Sequence, residues 1–196
     1  LSNVGATWTA RDSSRFWFGI SVSSDGKNQT DVTIDGQIYT SYDYGITWTA
    51  RDSARQWHDV SISSDGKYQT AVAYQGQIYI SADYGATWTA RDSNNYWEKV
   101  AVSSDGKYQT AVTAVPGGQI FTSSDYGTSW TATVASGYWS GVAVSSDGKY
   151  QTAIVLDGQI YTSYDYGITW TARDSARSWR DVAMSSDGKY QSAVVY

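Results

Sequence analysis

One histidine, His58, and one glutamate, Glu98, stand in a chain of 196 residues whose other acidic side chains are all aspartates. Hydrolysis of a glycosidic bond takes two placed carboxylates, one to protonate the leaving oxygen and one to attack or to activate water. Glu98 with Asp59 or Asp181 would make such a pair only by accident of geometry. The chain has no cysteine, which excludes a thiol nucleophile, a disulfide framework and a cysteine-held zinc. It also has no Ser–His–Asp pattern, phosphate-cradling loop or zinc-ligand spacing. The expectation is a protein that is not an enzyme and carries no metal or cofactor. The candidates that remain are binding groups: Arg51, Arg55, His58, Asp59, Glu98, Lys99, Arg180 and Asp181.

The spacing of these groups points to what positions them. His58, Glu98 and Arg180 each follow a tryptophan, and Phe18 and Ser140 occupy the same place elsewhere. The next column reads Gly19, Asp59, Lys99, Gly141 and Asp181. Around them the chain repeats. "SSDGK" occurs at 23–27, 63–67, 103–107, 145–149 and 185–189, and residues 35–55 and 157–177 are identical. Such a period marks a repeat architecture, here a single domain over 1–196 built from five repeats of about 40 residues. Near-identical repeats that diverge in two columns leave two readings, an asymmetric pocket at one mouth or neutral drift among charges that pair across the channel.

Each repeat holds four strand-like runs separated by turn signals. In the second repeat, strand A covers about 57–63, B about 68–74, C about 77–81 and D about 86–91. Asp-Gly in "SDGK" predicts the A–B hairpin. No run shows a capped helical period. Four short antiparallel strands per repeat predict an all-β, five-bladed β-propeller. The A–B and C–D turns then share one face, and the D–A and B–C loops share the other.

The stretch "SYDYGITW" at 41–48 returns with variations at 81–88 and 123–130 and unchanged at 163–170. S-x-D-x-G-x-T-W resembles the Asp-box of the bacterial neuraminidase repeat, and "DYGITWTARDSAR" resembles the propeller repeats of photosystem II assembly factors. The resemblance spans essentially the whole chain and implies a C–D turn used as a fold device. Asp43, Asp83, Asp125 and Asp165 would accept hydrogen bonds within the turn. Gly45, Gly85, Gly127 and Gly167 would take a positive φ. Trp48, Trp88, Trp130 and Trp170 would bury between blades with the indole N–H bonded. A first copy carries Leu1 and Asn3 in place of Ser and Asp. Sialidases of this family use an arginine triad, a tyrosine–glutamate pair and an aspartate, none of which can be matched here. A sialidase-like hydrolase is therefore the remote alternative.

The repeats do not close evenly. The chain starts in a strand D, at 6–11, and ends in a strand B, "QSAVVY", so the last blade would be shared between both termini and lack strand C. An unpaired edge is a template for association, which makes a homo-oligomer through that blade an expectation.

Three further features complete the reading. A net charge of −5 without a basic stripe argues against nucleic acid. No apolar run reaches membrane-spanning length, and the first residues do not form a signal peptide. "RDS" recurs at Arg11, Arg51, Arg91 and Arg173, read as a loop-ordering pair with stacking on tryptophan in preference to a ring of anion or sugar sites. The expected function is a non-catalytic binding module for a glycan or protein ligand. A duplicated or engineered scaffold without a ligand is the alternative.

Overall fold

The structure, a computed structural model, describes residues 7–135 and 137–196. These hold strands and turns and no helix. The first repeat forms one antiparallel sheet of β1 (Trp17–Val22), β2 (Gln29–Thr33), β3 (Gly36–Ser41) and β4 (Thr49–Arg55), in that order. The second and third repeats share a six-stranded sheet. It runs from β5 (Trp57–Ile62) through β6 (Gln69–Ser81), β7 (Thr89–Val102) and β8 (Gln109–Thr113) to β9 (Gln119–Ser123) and β10 (Thr131–Ala135). The fourth repeat repeats the pattern of the first with β11 (Trp139–Val144), β12 (Gln151–Val155), β13 (Gly158–Ser163) and β14 (Thr171–Arg177). β15 (Trp179–Met184) and β16 (Gln191–Val195) pair alone.

Two expectations change here. Strands B and C of the second repeat form one unbroken element, β6, which passes Gln75 at φ 55°. Asp35 and Asp157 take the same conformation in the corresponding turns, at φ 58° and 56°. The expected strand D at 6–11 is not formed in its described part, since residues 7–16 contain no strand. Strand hydrogen bonds need a neighbouring edge, and none of the described strands offers one to residues 7–16. Leu1 and Asn3, the altered turn residues, lie outside the described residues.

The SSDGK turn is wider than a two-residue hairpin. Ser23 N–H donates to the Asn28 carbonyl at 2.8 Å, and only Gly26 takes a positive φ, 78°. The Asp25 carboxylate organises the loop, accepting from Ser23 Oγ at 2.7 Å and Lys27 N–H at 3.0 Å.

The core lies between successive repeats. Val32 and Ile38 of the first pack on Trp57, Val60, Ala71 and Tyr79 of the second, and the next junctions follow the same scheme. The A strands pack β1 on β5, β5 on β7, β7 on β11 and β11 on β15. Serine backbones link their ends, Ser24 N–H to Ser64 O and Ser64 N–H to Ser104 O, both at 2.9 Å. Val22, Ile62, Val102, Val144 and Met184 line one common channel. The first repeat lacks a preceding neighbour among the described strands. Trp17 is therefore 36% exposed, whereas Trp57, Trp97 and Trp139 are fully buried.

Candidate functional site

The divergent columns fall on bulges. Register shifts occur between Trp17 and Gly19, Trp57 and Asp59, Trp97 and Lys99, Trp139 and Gly141, and Trp179 and Asp181. The extra residue in each is Phe18, His58, Glu98, Ser140 or Arg180. A bulge leaves its residue outside the ladder and re-aims the side chain. The first of the two varying columns is thus the one the ladder leaves unpaired, while the second, Gly19, Asp59, Lys99, Gly141 and Asp181, stays in register with the neighbouring strand.

The structure brings several of the candidates together. His58 Nδ1 lies 3.1 Å from Glu98 Oε2. The imidazole stacks on Tyr74, with centroids 4.6 Å apart and planes at 12°, and tilts against Phe18 at 4.9 Å. Tyr74 meets Tyr96 edge-on at 5.2 Å. Four rings therefore run in contact from Phe18 to Tyr96, and both end rings are exposed, Phe18 at 46% and Tyr96 at 40%.

Beside this row, Asp59 Oδ2 accepts from the Val100 N–H at 3.0 Å, a bond that crosses between repeats. Lys99 Nζ approaches Asp59 Oδ1 at 3.8 Å. Burial pushes the Asp59 carboxyl up to about 6, opposed by the Lys99 charge and the Val100 bond. The other candidates at this level are separate. Arg180 stacks on Tyr196 at 3.6 Å, Asp181 Oδ1 accepts its neighbouring Val182 N–H at 2.9 Å, and Ser140 Oγ bonds the Trp179 carbonyl at 3.0 Å.

Arg51 and Arg55 are tied into the sheets. Arg51 Nε donates to Thr40 Oγ1 at 3.0 Å, and an amine reaches Tyr42 Oη at 3.3 Å. Arg55 Nε donates to Tyr79 Oη at 2.6 Å, its guanidinium lies 5.4 Å from the Trp57 ring, and it meets Asp52 at 3.5 Å. Arg91 keeps the sequence but loses the partners. Ile80 and Ala82 stand where Thr40 and Tyr42 serve Arg51, and Arg91 Nε is buried with no hydrogen-bond partner.

The four C–D turns repeat one geometry. Asp43 Oδ1 accepts from Thr47 N–H at 2.9 Å and Ser41 Oγ at 2.8 Å, Oδ2 accepts from Thr47 Oγ1 at 2.6 Å, and Trp48 Nε1 donates to the Gly45 carbonyl at 3.1 Å. Asp83, Asp125 and Asp165 accept matching bonds, and Trp88, Trp130 and Trp170 donate to Gly85, Gly127 and Gly167. The four tryptophans are half-buried, and Asp43 itself reaches solvent. The tyrosine after each Asp also takes a positive φ, from 62° to 64°.

Sequence reasoning passed over Tyr74, Tyr96 and Asp31. Tyr74 stands where other repeats have Ile34, Ala114 and Leu156, a divergent column beside the B–C turn. Asp31 replaces an alanine, Ala71, Ala111, Ala153 or Ala193 in the other repeats. Its Oδ1 is buried without a partner, and burial pushes its carboxyl up to about 7. It borders a cleft of about 620 Å³ with Trp8, Arg11, Trp17 and Trp48. Among the described residues no group of three or more histidine or acidic side chains is placed to hold a metal ion.

No family model matches the sequence, and no curated protein does. Solved structures do resemble it. An ancestral GH74 enzyme superposes at a TM-score of 0.77 with 14% identity, over 95% of this chain and 28% of that one. The GH74 enzyme of Niastella koreensis gives 0.63 at 24% identity, over 79% and 24%. YCF48 bound to D1 peptide gives 0.66 at 17% identity, over 92% and 60%. The chain thus spans less than two thirds of each. At these identities the likeness concerns the fold, and together with the all-β antiparallel sheets it identifies that fold as a β-propeller.

Proposed function

We propose that the chain is a five-bladed β-propeller acting as a non-catalytic binding module, with its ligand at the mouth on the D–A face. The observation that carries this reading is the ring row Phe18–His58–Tyr74–Tyr96. It ends in exposed aromatic faces beside the His58–Glu98 and Lys99–Asp59 pairs. Exposed aromatic rings with a polar rim suit a protein or peptide ligand. YCF48, a structural neighbour, has been solved with a peptide bound. Five blades are supported by the channel that all five repeats line. The carboxylates of the mouth are held by His58, Lys99 and the Val100 N–H, which favours binding over catalysis.

A paired peptide-array and glycan-array screen tests this. Peptide hits that vanish in a Phe18→Ala/Tyr96→Ala variant of unchanged melting temperature support the mouth as a peptide site. Glycan hits lost in the same variant keep the site and change the ligand class. Hits that survive the variant remove the mouth from the argument, and silence on both arrays favours the ligand-free scaffold.

A second reading, association of copies through the last blade, rests on the uncovered Trp17, 36% exposed, and Val194, 56% exposed. Sedimentation equilibrium showing only monomer would exclude it.

A further inference from the structure

The third repeat departs from the others in strand D. Where the first and fourth repeats read T-A-R, it reads Thr131-Ala132-Thr133, and Ser124 stands in the column of Tyr42 and Tyr164. In the complete repeats the arginine fills this position. Arg51 Nε bonds Thr40 Oγ1 at 3.0 Å with its guanidinium 5.7 Å from the Tyr42 ring, and Arg173 Nε bonds Thr162 Oγ1 at 3.2 Å beside Tyr164. Thr40 and Thr162 are consequently buried.

The third repeat keeps the acceptor without the arginine. Thr122 is the counterpart of Thr40, and an added Cβ at Gly167 would lie 2.6 Å from its Cγ2, so the methyl is spoken for by the next repeat. Its hydroxyl makes no hydrogen bond among the described residues and is partly exposed. Thr133 turns away, giving its hydroxyl to the Ile120 carbonyl at 3.1 Å. What remains is a groove of about 430 Å³ between the third and fourth repeats, lined by Thr122, Ser124, Thr131 and Thr133. Tyr108 and Tyr166 wall it, stacked with centroids 4.5 Å apart at 30°. Tyr166, 37% exposed, offers a flat face of the kind a guanidinium stacks on, whereas the Tyr108 ring is already met by Lys107 Nζ at 5.2 Å and backs Tyr166 from behind.

We infer that this groove is a docking slot for an arginine side chain of a partner polypeptide. The guanidinium would donate to Thr122 Oγ1 as Arg51 donates to Thr40, and stack on the open face of Tyr166. The fold thus supplies its own template for the contact, formed internally in two repeats and left open in one. The net charge of −5 favours a cationic group over an anionic one. A lysine matches the slot less well, because its ammonium has neither the planar fork nor the stacking face.

The test is calorimetric and NMR titration of the full chain with a short glycine-flanked arginine peptide, alongside matched lysine and citrulline peptides. The arginine peptide is expected to bind and to shift the Tyr108 and Tyr166 ring signals, with the other two weaker by about tenfold or more. Thr133→Arg restores the internal plug, and it should abolish binding while raising the melting temperature. Thr122→Val keeps the shape and removes the acceptor, so it should weaken binding by about tenfold while the protein stays folded. No binding by the wild type at about 10 mM peptide overturns the inference. So does equal affinity for the lysine peptide, or binding unchanged in both variants.

Discussion

Thr70 donates its hydroxyl hydrogen to Gln109 Oε1, one repeat further on, at 2.6 Å, and both residues are buried. Gln109 Nε2 in turn donates to the Gly106 carbonyl at 2.9 Å, inside its own turn. The same bond joins Thr30 to Gln69, Thr110 to Gln151 and Thr152 to Gln191. A buried polar pair of this kind couples the repeats, because breaking it strands both partners away from water. Gln109→Ala should therefore cost about 1–3 kcal/mol in urea unfolding. Thr70→Val/Gln109→Leu should cost less than the single change, since it no longer strands the Thr70 hydroxyl, although the Gly106 carbonyl loses its donor in both.

Asp31 works against the fold. Its carboxyl rises from an ordinary 3.8 to about 7 through burial. Between those values the folded chain binds more protons than the unfolded one, so stability falls as pH rises through that window. Asp31→Ala, which restores the residue of the other repeats, should raise stability at pH 8 by about 1–2 kcal/mol, discounted for the water that reaches the group. At pH 4 the gain should be smaller. Melting curves at the two pH values measure the difference.

The turn aspartates behave oppositely. The Thr47 hydroxyl first, then the Thr47 N–H and the Ser41 hydroxyl, hold Asp43 down at about 2. The stability this lends is present above the ordinary carboxylate value and is lost as pH falls through the lowered one. Thr47→Val should move the Asp43 carboxyl back towards 3.8 in a carbon-detected NMR titration and shift the acid transition to higher pH. An unmoved titration would separate Thr47 from the effect.

Arg91 carries a repairable defect. Ile80→Thr places a hydroxyl where Thr40 serves Arg51, giving the buried Nε an acceptor. The variant should gain about 0.5–1 kcal/mol, even though a methyl group of contact is lost. A lower melting temperature would mean that packing at Ile80 outweighs the hydrogen bond.

Two buried tryptophans should respond differently to the same change. Trp139 Nε1 donates to the Gly118 carbonyl at 2.8 Å, whereas Trp97 Nε1 is buried without a partner. Phenylalanine removes the indole N–H in both. The extra penalty at Trp139 should be about 1 kcal/mol, read as the difference between the two denaturation midpoints.

Much of this protein is legible in one dimension. The repeat spacing, the turn residues and the paired tryptophans determine antiparallel strands and a propeller fold, because strand alternation and turn chemistry are local. The columns of His58, Glu98 and Arg180 stand out for the same reason, since they interrupt an otherwise repeating text. Contacts between repeats were decided only in three dimensions. His58 meets Glu98 and Tyr74, while Arg180 turns to Tyr196 instead, and neither choice follows from the column they share. Asp31 is one letter in an alanine column until burial strands its carboxylate. Thr133 is one missing arginine until the groove beneath Thr122 is left open. Local sequence sets the backbone of each repeat, but which side chains meet depends on how twisted sheets stack, and stacking couples residues about forty positions apart.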